Sequence, residues 1–178
     1  MTAIVEISIS ALSPDDLEVR LEELAALMRD CVEAGASINF ILPFSREESL
    51  AFWRDKVLPP AREGLRTVLV AQEAGRIVGS VQLNCDTPPN QRHRADVTKL
   101  LVHPSCRRKG IARALMEALE REARIRDRPL LTLDTRSGDS AEPLYLSMGY
   151  EAVGVIPGFS RDTAEERLDA TTIMFKRL

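Results

Sequence analysis

Leu100-Leu101-Val102-His103-Pro104-Ser105-Cys106-Arg107-Arg108-Lys109-Gly110-Ile111-Ala112 is the stretch on which the reading turns. An apolar strand, closed by Pro104, runs into a basic loop, and the loop passes directly into a helix that opens with small residues. The first turn of a helix has backbone N–H groups without internal partners and the positive end of the peptide dipoles, so it suits a phosphate. Gly110 has no side chain to hold a diphosphate away from the backbone, and Ala112 has almost none. Arg107, Arg108 and Lys109 supply countercharge. The plainer alternative is a glycine at a tight turn. Two better-known phosphate loops do not fit: no second Gly precedes at P-loop spacing, no Ser or Thr follows a Gly-Lys pair, and Gly110 begins no G-x-G-x-x-G.

On the N-terminal side, Ile4–Ile9 alternates apolar and polar residues as a strand does. Ser13-Pro14-Asp15-Asp16 caps a helix carrying Leu17, Leu21, Leu24, Ala25 and Met28, which fades at Gly35. Ser45-Arg46-Glu47-Glu48 is a second capping box, whose helix extends to Pro59-Pro60 or slightly past it. Thr67–Ala71 and Ile77–Leu83 form a hairpin, Asp86–Asn90 a loop, and Ala95–His103 a strand. On the C-terminal side a helix spans Lys109–Arg126 with Ile111, Leu115, Ala118 and Leu119 on one face. Leu130–Thr135 reads as a buried strand, Ser140 to Gly149 as a short helix, and Ala152–Ile156 and Thr171–Phe175 as the last strands. The order β-α-α-β-β-β-α-β-α-β-β, without repeat or linker, predicts one α/β (α+β) domain over residues 1–178. It has a mixed sheet of six to seven strands and about four helices.

The 178 residues are 44% apolar and 29% charged, which fits a globular chain and excludes disorder. The longest stretch without Asp, Glu, Lys or Arg, Ala34–Ser45, is too short to span a membrane. The net charge of −3 argues against a nucleic-acid coat, although residues 107–128 alone carry eight basic and four acidic side chains. Glu120, Arg121, Glu122 and Arg124 there read as a solvated face laced with ion pairs. Cys31, Cys85 and Cys106 have no metal spacing and cannot all pair, so no metal is expected and a reducing, cytoplasmic setting is.

Arg107-x-x-Gly110-x-Ala112 after a strand ending at Val102 resembles the acyl-CoA motif of the GNAT superfamily of N-acetyltransferases. Ala141-Glu142-Pro143-Leu144-Tyr145-Leu146-Ser147-Met148-Gly149-Tyr150, some thirty residues on, resembles the same family's A-x-x-L-Y-x-x-x-G-F signature. The element order matches as well, so the resemblance spans nearly the whole chain. Gly35-Ala36-Ser37, Lys99-Leu100, Leu133-Asp134-Thr135 and Pro157-Gly158 bring it closest in appearance to the tabtoxin-resistance type. One departure stands out. Many members have an Asn three residues before the Ala, where this chain has Gly138, so either a side-chain contact to the cofactor is lost or Ser137, Asp139 or Ser140 replaces it.

The resemblance implies acetyl transfer from acetyl-CoA to the amine of a small molecule of amino-acid-like, antibiotic or toxin type, in a cleft where Val97–Val102 and Leu130–Thr135 splay apart. Arg107, Arg108, Lys109, Gly110, Ile111, Ala112 and Arg113 would hold the diphosphate. The backbone of Leu100, Leu101 and Val102 would pair with the pantetheine arm, and the Val102 N–H would steady the oxyanion. Tyr145 matches the family's general acid. An alkyl amine with a pKa near 10 costs roughly 4 kcal/mol to present neutral at pH 7, so a base is needed as well. Asp134 is the main candidate, with Asp96 and Glu33 behind it. His93, His103 and Cys106 read as loop residues without a catalytic partner. Ser37, Phe40, Trp53 and Gln82 are candidates for the acceptor site. A peptide or protein amine is the alternative acceptor, and a non-catalytic acyl-CoA-binding module the alternative class. A homodimer is compatible with the sequence.

Overall fold

The computed structural model describes residues 6–178. Strand β1 (Ile7–Ala11) leads into helices α1 (Pro14–Val19), α2 (Leu21–Glu33) and α3 (Arg46–Phe52). A π-helical turn at Trp53–Val57 and helix α4 (Leu58–Arg62) follow, then strands β2 (Arg66–Glu73), β3 (Arg76–Asn84) and β4 (Arg94–Val102). The chain continues through α5 (Ile111–Ile125), β5 (Leu130–Arg136), α6 (Ala141–Ser147), β6 (Glu151–Arg161) and β7 (Leu168–Arg177). The first predicted strand lies partly outside the described residues, and what is described of it extends to Ala11.

The predicted helices are present as four helical regions, two of them broken. The first breaks at Arg20, whose guanidinium is drawn away to Gln72 Oε1 and the Gly75 carbonyl, 2.8 Å each, at the β2–β3 turn. The second starts on the expected capping box, with Ser45 and Glu48 exchanging bonds. It then widens into the π turn before Pro59 and Pro60, which have no N–H to give a regular helix.

Among the described residues seven strands form one sheet in the order β1-β2-β3-β4-β5-β7-β6, antiparallel except where β4 meets β5. One apolar layer packs α5 on the sheet, with Ile111, Leu115, Met116 and Leu119 against Val81, Leu83, Val97 and Leu131. The other packs α2 and the π turn against the opposite face, with Leu24, Met28, Trp53 and Val57 on Val68 and Val70. Gly79 on β3 lets α5 approach: a Cβ there would lie 2.9 Å from the Leu101 carbonyl and 3.1 Å from Ile111 and Leu115 side chains. The solvated reading of residues 120–124 fails at Glu120. It is buried, and both its oxygens accept from Lys176 Nζ at 2.7 and 2.8 Å, because the α5 face it occupies turns towards β7.

Candidate active site

Strands β4 and β5 pair over three positions, Arg94 with Leu130, Ala95 with Leu131 and Asp96 with Thr132, and then part. Past that point neither strand satisfies the other's backbone groups, and a cleft of about 640 Å³ opens between them. β4 is bent there by a bulge. Ser80 lies opposite Leu101 and Gln82 opposite Thr98, so Lys99 and Leu100 together face Val81, and Lys99 has a left-handed φ of 54°.

Alternation along β4 decides which backbone groups reach the cleft. The His103 N–H donates to the Val78 carbonyl at 2.8 Å, across the β3 edge. Val102, one residue earlier, therefore presents its N–H and C=O to the opposite, cleft-facing edge. Its carbonyl accepts from Arg107 Nε at 3.3 Å and from Cys31 Sγ at 3.5 Å. Burial pushes the Cys31 thiol up to about 11, so it is an inert wall of the cleft.

At one end of the cleft, Gly110 caps α5 with a φ of 79° and no atom within 4 Å of where a Cβ would stand. Arg107, Arg108, Gly110, Ile111, Ala112 and Arg113 line this end. Lys109 does not: its ammonium turns away to Glu73 at 3.0 Å. The open helix start, the unpaired edge of β4 and three arginines are a donor set that fits the diphosphate and amide-rich arm of a coenzyme A thioester.

At the other end stand Asp134, Tyr145, Lys99 and Ser37. Asp134 is exposed and accepts from Thr171 Oγ1 at 3.3 Å. Burial, and then the Asp134 and Asp139 carboxylates, raise the Tyr145 phenol above its ordinary range, so it keeps its proton at neutral pH. The α2–α3 connection forms the wall here. It is held by the Leu42 N–H on the Thr163 carbonyl at 2.8 Å and Thr163 Oγ1 on the Ala36 carbonyl at 3.2 Å.

Other candidates lie elsewhere. Trp53 and Gln82 are fully buried, and Phe40 stacks on Phe44 at 4.4 Å, so none of these three lines the cleft. Asp96 is taken up by Arg94 and Thr132, and Glu33 faces Arg29 at 3.6 Å. His103 Nε2 lies 3.4 Å from Asp30. Around Gly138, Asp139 and Ser140 line the cleft, while Ser137 turns to Thr172 Oγ1 at 2.8 Å. Lys99 was not among the expected site residues. Its signals in the sequence were a charge inside a largely apolar strand end and the Lys99-Leu100 pair within the family resemblance.

Residues 45–160 match the family model described as an acetyltransferase (GNAT) domain. An uncharacterised N-acetyltransferase from the hisH–hisA intergenic region of Azospirillum brasilense is 33% identical over 125 residues, 69% of this chain and 72% of that protein. Among solved structures, the ribosomal-protein-alanine N-acetyltransferase of Brucella melitensis aligns with a TM-score of 0.73 and 26% identity, covering 96% of this chain and 99% of that one. The putative acetyltransferase yncA of Salmonella typhimurium, solved with its cofactor acetyl-CoA, aligns at 0.77 and 21% identity, covering 97% and 94%. With the parted strands and the open start of α5 already in view, these matches make the chain a member of the GNAT family and an N-acetyltransferase.

Proposed function

We propose that the enzyme transfers the acetyl group of acetyl-CoA to the amine of a small molecule by direct attack in a ternary complex. The observation that carries this is the continuity of one cleft from the α5 start, past the Val102 N–H, to Asp134 and Tyr145. Arg107, Arg108, Arg113 and the first N–H groups of α5 hold the diphosphate, and the free edge of β4 takes the pantetheine arm as an added strand. The Val102 N–H stabilises charge on the thioester oxygen as the amine nitrogen bonds to the carbonyl carbon. Asp134 takes the proton that the amine loses. The carbon–sulfur bond then breaks, and Tyr145 donates to the departing thiolate.

A protein N-terminus is the second reading, favoured by the likeness to the ribosomal-protein-alanine enzyme. A small acceptor suits the walled end of the cleft better, because the α2–α3 connection is pinned over it by Thr163. A cytoplasmic setting fits the three unpaired cysteines. A homodimer fits the unpaired edge of β6, where Val153, Val155 and Phe159 stand exposed. Thiol release from acetyl-CoA over a panel of small amines and N-terminal peptides tests the proposal. Faster release with a small amine supports it. Release with peptides alone reverses the choice of acceptor, and acetyl-CoA binding without release for any amine leaves a binding module.

A further inference from the structure

At the acceptor end of the cleft the structure holds a cation that, among the described residues, no carboxylate meets at ion-pair distance. Lys99 lines the cleft, and among the described residues its side chain has one hydrogen bond, to the Ile38 carbonyl at 2.9 Å. The ammonium lies 5.6 Å from the centre of the Phe40 ring and 5.7 Å from that of Phe52, so two aromatic rings flank it. A lysine ammonium has three protons to donate, and burying it without an anion is costly. Its backbone is also constrained, because the bulge holds Lys99 at a φ of 54°.

The neighbouring strands add donors. Gln82, opposite Thr98, is fully buried, and its Nε2 has no acceptor. Arg66 gives one nitrogen to the Lys56 carbonyl and Gln82 Oε1, at 3.2 and 3.4 Å, while its Nε has none. Neither side chain lines the cleft; on its β4 wall the positive charge is that of Lys99. Across the cleft the sign reverses, because Asp134 projects from the parted end of β5. A positive and a negative group face one cavity at its reacting end.

We propose that Lys99 binds a carboxylate carried by the acceptor, so that the acceptor is a free amino acid or a close analogue, with its amine towards Asp134. The inference rests on the acetyl-transfer reading above and narrows it. It also separates free amino acids from protein N-termini, since the first residue of a peptide has an amide where Lys99 requires a charge.

The test pairs each proteinogenic amino acid with its α-amide, the mimic of a peptide's first residue, and measures kcat/KM for thiol release. At least one acid should exceed its amide by roughly tenfold or more, since a charged bond is lost in the amide. Lys99→Met should bring the acid-to-amide ratio close to 1 through KM for the acid, with the acetyl-CoA Kd unmoved, and Lys99→Arg should restore part of the ratio. A residue that only anchors the α2–α3 connection would instead lower acids and amides together, which would overturn the assignment. Calorimetric titration of the CoA-loaded protein with N-acetyl amino acids and their amides reads the same preference without turnover, and equal affinities would overturn it too. Failure of acetyl-CoA itself to bind would sink the transferase reading. Binding and turnover without any preference for acids would sink only the role of Lys99.

Discussion

Tyr145 is 6% exposed, and its phenol titrates above the ordinary range because burial, and then Asp134 and Asp139, disfavour the phenolate. A CoA thiol resembles a cysteine of pKa about 8.5, so full proton transfer from so weak an acid to the thiolate is uphill. In the proposed reaction Tyr145 would therefore act as a hydrogen-bond donor that steadies the sulfur's developing charge. Tyr145→Phe keeps the ring packing against Tyr150, whose centroid is 5.6 Å away, and removes only the donor. Turnover is expected to fall roughly 10²-fold with acetyl-CoA affinity little altered. The defect should shrink with an acyl donor whose thiol has a lower pKa, measured where chemistry limits the rate. Equal defects with both donors would make Tyr145 a positioning residue. Its place in the cleft was legible in the sequence through the Ala141–Tyr150 motif. The role of Lys99 was not, because a lysine in a strand gives no sign of a bulge until the register of β3 and β4 is known.

Among the elements, α5 shows best how local sequence becomes a site. Gly110 ends the basic loop with a φ of 79°, a conformation that costs an L side chain energy, and so leaves the first turn of the helix open. Gly110→Asp would place a carboxylate where the diphosphate is expected, and acetyl-CoA affinity should drop more than tenfold, above about 1.4 kcal/mol. Gly110→Asn is the control, since Asn tolerates the same backbone without the charge. Titration of both variants separates the two effects, and equal losses would mean that backbone strain, not repulsion, weakens binding. The sequence announced this helix start correctly but assigned three basic side chains to the phosphate. Lys109 instead closes on Glu73, a partner 36 residues earlier on β2 that no local pattern reveals. The helix break at Arg20 has the same kind of origin, a side chain captured by a distant turn, whereas the irregularity before Pro59 comes from two neighbouring residues lacking N–H groups.

For the molecule as a whole, Lys99 couples the site to stability. Burial lowers its pKa from 10.5 to about 8, with Asp134 opposing that shift and Arg66 adding to it. Between these two values the unfolded chain binds the proton more fully than the folded one, so stability rises with pH across this window. Below it both states are charged, and the buried ammonium weighs against the fold. Wild type should therefore gain up to about 3 kcal/mol on Lys99→Met between pH 8 and 10.5, since each pKa unit is worth about 1.4 kcal/mol. Urea unfolding of both proteins across that range checks it, and parallel stability profiles would exclude the shift.

What the sequence determined by itself is whatever depends on neighbours along the chain: capping boxes, the alternation of strands, the amphipathic face of α5, and the two motifs that together carry the family resemblance. The diversion of Lys109, the burial of Glu120 against Lys176 and the exposure of Lys99 to the cleft were decided only by the tertiary structure, and the splay of β4 from β5 beyond Asp96 was implied by the family resemblance, not by any local pattern. Each is a relation between residues far apart in sequence, set by strand register and by which face of an element meets another, and hydrophobic periodicity contains neither.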